Sequence, residues 1–231
     1  SSRDHDPGVE SVQFSPTRCE GSPVKNVTDR TSNPFDMRPP CERFVPGYGD
    51  ANADFHVVGD RPERHGGLDT GVPFTNDAGR RLQAALAEAG LLESVGDRPN
   101  PKQTFLSYLH LCAGDGEPSQ SSYDDLERFF DAELRAIAAH VLLPVGERAT
   151  RHVLETYTAQ ARKTTVDMDA LHGTEIRGSG FLVVPIAEPA TWDETHPGRL
   201  VDGLETLTST DYRREADLGR FGAGNDPYLV R

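Results

Sequence analysis

The stretch from Phe55 to Leu86 constrains this chain more than any other. Phe55–Val58 is a short apolar run of strand type that ends at Gly59. A loop from Asp60 to Asn76 follows, carrying Pro62, Gly66, Gly67, Gly71 and Pro73. Asn76 or Asp77 then caps a helix with Leu82, Ala85, Leu86 and Ala89 at helical spacing, stopped by Gly90. A strand that empties into a glycine-rich loop and a helix start is the geometry of an α/β ligand site. Ligands lie beyond the carboxyl ends of such strands. The glycines let backbone approach a ligand, and the free N–H groups of the helix start favour an anion. Connections of this kind need only about two to six residues, so the length of this one points to function.

The pattern recurs along the chain. Thr104–Leu111, Val141–Val145 and Phe181–Ile186 read as further strands, although Pro144 is awkward in one. A helix is expected from Ser122 to Ala139, with Leu126, Phe129, Phe130, Leu134 and Ile137 on one side. Ser122 and Asp125 have capping-box spacing at its start. Another helix leads from Gly146 through Ala149, Val153 and Leu154, and a last helical region covers Asp211–Leu218. Alternating strands and helices imply a mainly parallel sheet covered on both faces. The polar residues at its carboxyl edge should then converge: Asp60, Phe74 and Asp77 after the first strand, Tyr108 and His110 in the second, Glu188 after the fourth. Residues 1–50, rich in Pro, Ser, Asp and Arg, read as an extended N-terminal arm, 51–220 as the domain, and 221–231 as a C-terminal tail.

A net charge of −13 opposes nucleic-acid binding, because phosphates attract Lys and Arg. Lysine is confined to Lys25, Lys102 and Lys163, whereas arginine, aspartate and glutamate are abundant. That balance resembles proteins of salt-loving microbes, of haloarchaeal type. In molar salt the Debye length is about 3 Å, so distant acidic charges are screened and local contacts decide. The plain alternative is a protein that does not bind nucleic acid. No apolar run is long enough to span a bilayer and no signal peptide is visible, so a cytoplasmic location is expected. Cys19, Cys41 and Cys112 are too few for a disulfide scaffold. A metal or cluster site and three unrelated thiols both stay open.

The wording of the long loop is specific. Pro46-Gly47-Tyr48-Gly49-Asp50, Val57-Val58-Gly59, Pro62, His65-Gly66-Gly67, Thr70-Gly71, Pro73-Phe74-Thr75 and Asp77 resemble the first motif of the uracil-DNA glycosylase superfamily. The likeness is to the thermophile-type family-five enzymes and the related family four, and in weaker form it extends from Cys41 to Leu204. The resemblance implies a three-layer α/β/α sandwich on a four-stranded, mainly parallel sheet. It implies a monomeric DNA-repair glycosylase that flips a deaminated base, uracil or a relative, out of the stack and hydrolyses its N-glycosidic bond. Phe74 then matches the aromatic that stacks on the base. Asp60 falls where one branch has a water-activating glutamate, and Asp77 where family five carries its own carboxylate. His65 becomes a base or phosphate contact. Arg61 and Arg64 on the same loop, and Arg199 at the end of the second motif, become phosphate contacts. Plainer roles compete: a core plug for Phe74, a helix cap for Asp77, a solvated loop histidine for His65.

Three departures from the family pattern carry as much weight as the matches. Tyr108 stands where the family reads the base edge with an asparagine, and one hydroxyl cannot copy an amide. Glu188 stands where the second motif begins with a histidine that donates to the leaving base. An ionised glutamate there would repel the departing anion, and a protonated one would need a strongly raised pKa. His196-Pro197-Gly198 lies too late to be that motif and reads as part of the loop that enters the DNA groove in relatives. Finally, the family implies a four-iron four-sulfur (4Fe-4S) cluster on four cysteines, of which Cys19, Cys41 and Cys112 supply three. These departures point to a second function, a weak or inactive homologue that binds DNA or a nucleobase without excision. The global acidity points to a third, a cluster-bearing protein that no longer recognises nucleic acid.

Overall fold

The first three apolar runs form the centre of one sheet. In the computed structural model, which describes residues 31–158 and 166–222, β1 is Tyr48–Gly49, β2 is Phe55–Gly59, and helices α1 (Pro62–His65) and α2 (Asp77–Glu88) follow. A small separate hairpin, β3 (Leu92–Ser94) and β4 (Asn100–Pro101), precedes β5 (Thr104–Tyr108). Then come α3 (Gln120–Ile137), β6 (Val141–Pro144), α4 (Gly146–Tyr157), α5 (Met168–Leu171), β7 (Ile176–Arg177) and β8 (Leu182–Val183). Helices α6 (His196–Thr208) and α7 (Tyr212–Gly222) close the described chain.

The sheet order is β1-β5-β2-β6-β8-β7. Its four inner strands are parallel and both edge strands are antiparallel. The expected three-layer α/β/α arrangement is present, but the sheet has six strands rather than four. The two extra strands are two residues each, too short for a periodic signal. Alternation along the strands feeds two cores. Val57, Val141, Leu143, Leu182 and Val184 face Leu82 and Leu86 of α2, Leu200 and Leu204 of α6, and Ala216 of α7. Val58, Leu142 and Val183 face Phe130 and Leu134 of α3, and Ala149, Val153 and Leu154 of α4. Pro144 is accommodated at the last position of β6, where its carbonyl still accepts from the Ile186 amide at 2.8 Å. The cap of α3 is Ser119, whose side chain accepts from the Ser122 amide, so the helix starts before the Ser122 box.

The cysteine expectation needs correction. Cys41 and Cys112 are joined by a disulfide, and Cys19 lies outside the described residues. The bond staples the segment before β1 onto the exit of β5, where Val45 donates to Leu111 and Ala113 donates to Arg43, each at 2.9 Å. Two bonded sulfurs are not thiolate donors, and the sequence offers only one further cysteine. Among the described residues no group of His, Cys, Asp and Glu is arranged to hold a metal ion. The described residues therefore do not fit a 4Fe-4S cluster, and no step below is routed through one.

Beneath the α3 side of the sheet lies a buried polar chain. His56 on β2 contacts the Ser107 hydroxyl on β5 at 2.7 Å, and Ser107 bonds Glu133 on α3. Burial pulls His56 down to about 3, so its ring is neutral. Burial pushes Glu133 up to about 8, against the hydrogen bond from Ser107. A carboxyl that holds its proton more tightly folded than unfolded costs stability as pH rises from its ordinary value of 4.5 to about 8. Glu133→Gln should therefore raise the unfolding free energy at pH 8 by about 1–2 kcal/mol and change it little at pH 4.5. Urea titrations at both pH values check this; equal effects would show that Glu133 is ionised in the fold.

Candidate active site

Strand exits meet at the carboxyl edge of the sheet. Asp60 follows β2, Tyr108 ends β5, Val145 and Gly146 follow β6, and Glu188 lies beyond β8, before a 3-10 turn at Pro189–Thr191. Helix α2 leaves β2 onto one face and α4 leaves β6 onto the other, so a crevice opens between these strand ends. It forms a cleft of about 380 Å³ lined by Asp60, Arg64, Glu117, Gly146, Arg148, Arg151 and Glu188, among others.

Asp60 is buried and tightly held. It accepts a hydrogen bond from the Tyr123 hydroxyl. Arg61 Nη1 and Arg64 Nε each lie 3.4 Å from its Oδ2, and Arg148 Nε lies 3.9 Å from Oδ1. Burial and the bond to Asp60 push Tyr123 up to about 12, so its hydroxyl stays a donor at neutral pH. The Arg148 guanidinium stacks over the Tyr123 ring, 4.2 Å from its centroid. Arg61 is itself committed, to Asp60, Glu63, Glu117 and the Tyr123 hydroxyl, with only 11% of its side chain exposed. Arg64 keeps 48% of its side chain exposed at the cleft.

Glu188 faces Asp60 across Arg64. Both of its carboxylate oxygens lie 3.1 Å from His65 Nε2, and Arg64 Nη1 lies 3.8 Å from Oε2. Burial alone would raise this carboxyl. The hydrogen bond and charge of His65, the Ala190 backbone N–H and the charge of Arg64 outweigh burial and hold Glu188 below the ordinary carboxylate range. Of the two states open from sequence, ionised and protonated, the ionised one is present at neutral pH. The loop that carries Glu188 is fixed from α2: Arg81 donates to the carbonyls of Pro189 and Trp192 at 2.7 and 2.8 Å.

The aromatic group lies beneath. Phe74 is 1% exposed, with ring centroids of His65 and Tyr108 each 5.3 Å away. A Cβ at Gly59 would sit 2.7 Å from the Tyr108 ring and 2.8 Å from the Phe74 ring, so only glycine lets the two rings lie on β2. Phe74 has φ +61°, a left-handed value that costs a bulky residue about 1–2 kcal/mol. Two hydrogen bonds hold it: its N–H donates to the Tyr108 hydroxyl at 2.8 Å, and its carbonyl accepts from Gln83 Nε2 at 2.6 Å. The Tyr108 hydroxyl also donates to the Gly66 carbonyl at 2.8 Å. With one bond accepted and one donated, this hydroxyl is engaged in holding the loop, and burial raises its pKa far above the usual phenol value.

The remaining candidates do not line the cleft, although His65 contacts Glu188, which does. Asp77 is exposed in the first turn of α2, while Asn76 is the cap and accepts from the Gly79 amide. His65 is fully buried rather than solvated. Arg199, on α6, donates to the carbonyls of Asp169 and His172 at 2.7 and 3.2 Å. His110 spans the Cys112 carbonyl and the Ser122 hydroxyl. Conversely, Tyr123, Glu117, Arg148, Arg151 and Arg81 belong to the candidate site, and the sequence pattern does not mark them. The positions of Arg148 and Arg151 in the first turns after the β6 exit were the available signal.

A doubly covered parallel sheet with its charged cleft at the switch point defines an α/β protein whose ligand site lies at the strand carboxyl ends. The family model described as the uracil DNA glycosylase superfamily matches residues 46–199, and the chain belongs to that superfamily. It is 31% identical over 184 residues to the type-5 uracil-DNA glycosylase of Pyrobaculum aerophilum, covering 77% of each chain. It is 32% identical over 114 residues to the type-5 uracil-DNA glycosylase of Mycobacterium leprae, covering 46% of this chain and 50% of the relative. With the type-4 uracil-DNA glycosylase of Archaeoglobus fulgidus it shares 22% identity over 157 residues, 67% of this chain and 74% of the relative.

Proposed function

We propose that this protein is a DNA glycosylase-type protein that holds a flipped base in the cleft between Asp60 and Glu188, and that its excision of uracil is weak. Membership of the superfamily supports DNA glycosylase function in general. The observation that carries the finer reading is the ionised Glu188, paired with His65 and Arg64, at the place where the resemblance puts a donor histidine. Uracil departs as an anion, and a donor aimed at it is worth about 3–4 kcal/mol in the barrier. A fixed carboxylate there works in the opposite sense. The burial of Phe74 against His65 and Tyr108 supports the same reading, because no ring face is left for uracil to stack on. Asp60 lines the cleft and is the carboxylate placed to orient a water; exposed Asp77 is not among its lining residues. Arg64 and Arg151, half-exposed beside the cleft, are the cations offered to DNA phosphates in place of Arg61 and Arg199.

A gel assay in high salt tests this with single-stranded and duplex oligonucleotides containing uracil, hypoxanthine or xanthine. A mobility shift with little cleavage of the uracil strand is expected. Rapid cleavage at uracil contradicts the weak-excision part, and neither shift nor cleavage contradicts the whole. A second reading, excision of a different base, is favoured by Asp60 and Glu188, two of the carboxylates that line the cleft, and cleavage confined to the purine lesions would support it.

A further inference from the structure

We propose that His172 is the positioning residue for Glu188, and that the proton state of its ring ties the place of Glu188 in the cleft to pH. The consequence for binding rests on the reading that the cleft takes a flipped base between Asp60 and Glu188. The chain leaves the sheet just before Glu188. Ile186 still donates to the Pro144 carbonyl and accepts from the Gly146 amide, each at 2.8 Å. At Ala187 two side-chain rings take over from the backbone. The Ala187 N–H donates to His172 Nδ1 at 2.9 Å, and the Ala187 carbonyl accepts from Trp192 Nε1 at 2.8 Å. His172 is buried, and its Nε2 lies 2.8 Å from the His196 carbonyl. The turn that carries His172 lies hard against α6. Arg199 donates to the His172 carbonyl at 3.2 Å, and a Cβ at Gly173, which has φ +72°, would meet the Arg199 carbonyl oxygen at 2.7 Å. The ring is therefore a fixed point from which the Glu188 turn is held.

These contacts fix the tautomer. An N–H aimed at Nδ1 requires a bare nitrogen there, and a carbonyl at Nε2 requires an N–H, so His172 is neutral with its proton on Nε2. A second proton goes to Nδ1, faces the Ala187 N–H and turns an attraction into a donor–donor contact. Glu188 is the next residue, and it reaches His65 and Arg64 from this turn. The ionisable groups around the ring are His196 and Arg199 on α6, Asp169 on α5, and Glu188 itself; the His196 ring centroid is 4.9 Å away, and Asp193 holds His196 Nδ1 at 2.8 Å. Burial holds the His172 pKa below the ordinary 6.5. The charges of His196 and Arg199 act in the same sense, and the bond to the His196 carbonyl and the charge of Asp169 oppose them. A histidine that binds its proton less tightly folded than unfolded loses stability as pH drops below 6.5, so release of the turn belongs to the acid side.

Trp192 is the chain's single tryptophan, and its ring centroid lies 5.6 Å from that of His172. Its emission reports the turn without DNA. Titration of the full chain in high salt from pH 8 to pH 4.5 should show a one-proton step below pH 6.5 that is lost in His172→Gln and kept in His196→Gln. The glutamine amide offers one acceptor and one donor to the same backbone groups and takes up no proton. A wild type without the step, a step that survives in His172→Gln, or one that vanishes in His196→Gln overturns the proposal. The second readout is fluorescence anisotropy with a dye-labelled single-stranded thymidine pentamer whose central residue is deoxyuridine. At pH 7.5 His172→Gln should bind within about threefold of wild type, and His172→Phe, folded by circular dichroism, at least about tenfold more weakly. Across the emission step the wild type should lose about tenfold in affinity relative to His172→Gln; the ratio cancels the general gain that acid gives an acidic chain on DNA. If His172→Phe does not fold, this ratio carries the test. An unchanged ratio overturns the link to the cleft. If the wild type binds no pentamer, the DNA reading fails, and the Trp192 step alone decides whether His172 holds the turn.

Discussion

Phe74→Ala should lower the unfolding free energy by about 3–5 kcal/mol. From sequence alone this substitution reads as a loss of base stacking worth about 1–3 kcal/mol with the fold intact. Burial reverses that expectation. Phe74 is 1% exposed, lies on Gly59, and has His65 and Tyr108 on either side. Removing the ring leaves a void in the cluster that spans Leu82, Leu86 and Leu143, and the neighbours cannot close it. Tyr108 and His65 are pinned by their own hydrogen bonds to the Phe74 and Gly66 backbone and to Glu188. Chemical denaturation measures the cost. A variant of near-wild-type stability that has lost base affinity would instead make Phe74 a stacking surface.

The second large effect is expected at Cys41–Cys112. The bond closes a loop with a sequence separation of 71 residues, for which chain entropy alone gives about 4 kcal/mol. It also holds the register in which residues 43–45 pair with 111–113, and through that segment the exit loop of β5. That loop reaches the cleft: the Gly114 amide donates to Glu63, and Glu117 pairs with Arg61. Cys112→Ser should therefore cost about 2–4 kcal/mol. In the wild type, unfolded without reductant, only the Cys19 thiol should react. Three freely alkylated thiols, or iron bound in proportion to protein, would show that these sulfurs serve another purpose.

The strands and the principal helices were legible because their signal is local. Phe55–Val58 and Val141–Val145 are continuous apolar runs, and Leu82, Ala85 and Leu86 share a helix face, so burial on both sides of a parallel sheet follows directly. Convergence of Asp60, Tyr108 and Glu188 at one edge followed from that topology. Helix α6 stands where the sequence reads as a loop, although its helix signals are present. Pro197 sits in its first turn, and Leu200, Val201, Leu204 and Leu207 mark its buried face; the likeness of His196-Pro197-Gly198 to a groove-entering loop overrode them. The partners of Asp60 were not legible, because Tyr123 and Arg148 reach it from different helices and the contacts are set by packing. Asn76 and Asp77 are equally good caps on paper, and only the backbone distinguishes them. The pairing of two cysteines out of three has no sequence rule at all.

The ionised state of Glu188 is the point on which the proposed function turns, and it is reached only through distance. His65 lies 123 residues away in sequence, yet its ring contacts both carboxylate oxygens. The most direct measurement is the rate of uracil release from a uracil-containing oligonucleotide by wild type, Glu188→His and Glu188→Ala under single-turnover conditions in high salt. We expect a slow wild type, and a Glu188→His variant faster by about tenfold or more, since the imidazole restores a donor to the departing base. A fast wild type whose rate is unchanged in Glu188→Ala would contradict this, because Glu188 would then carry no part of the chemistry.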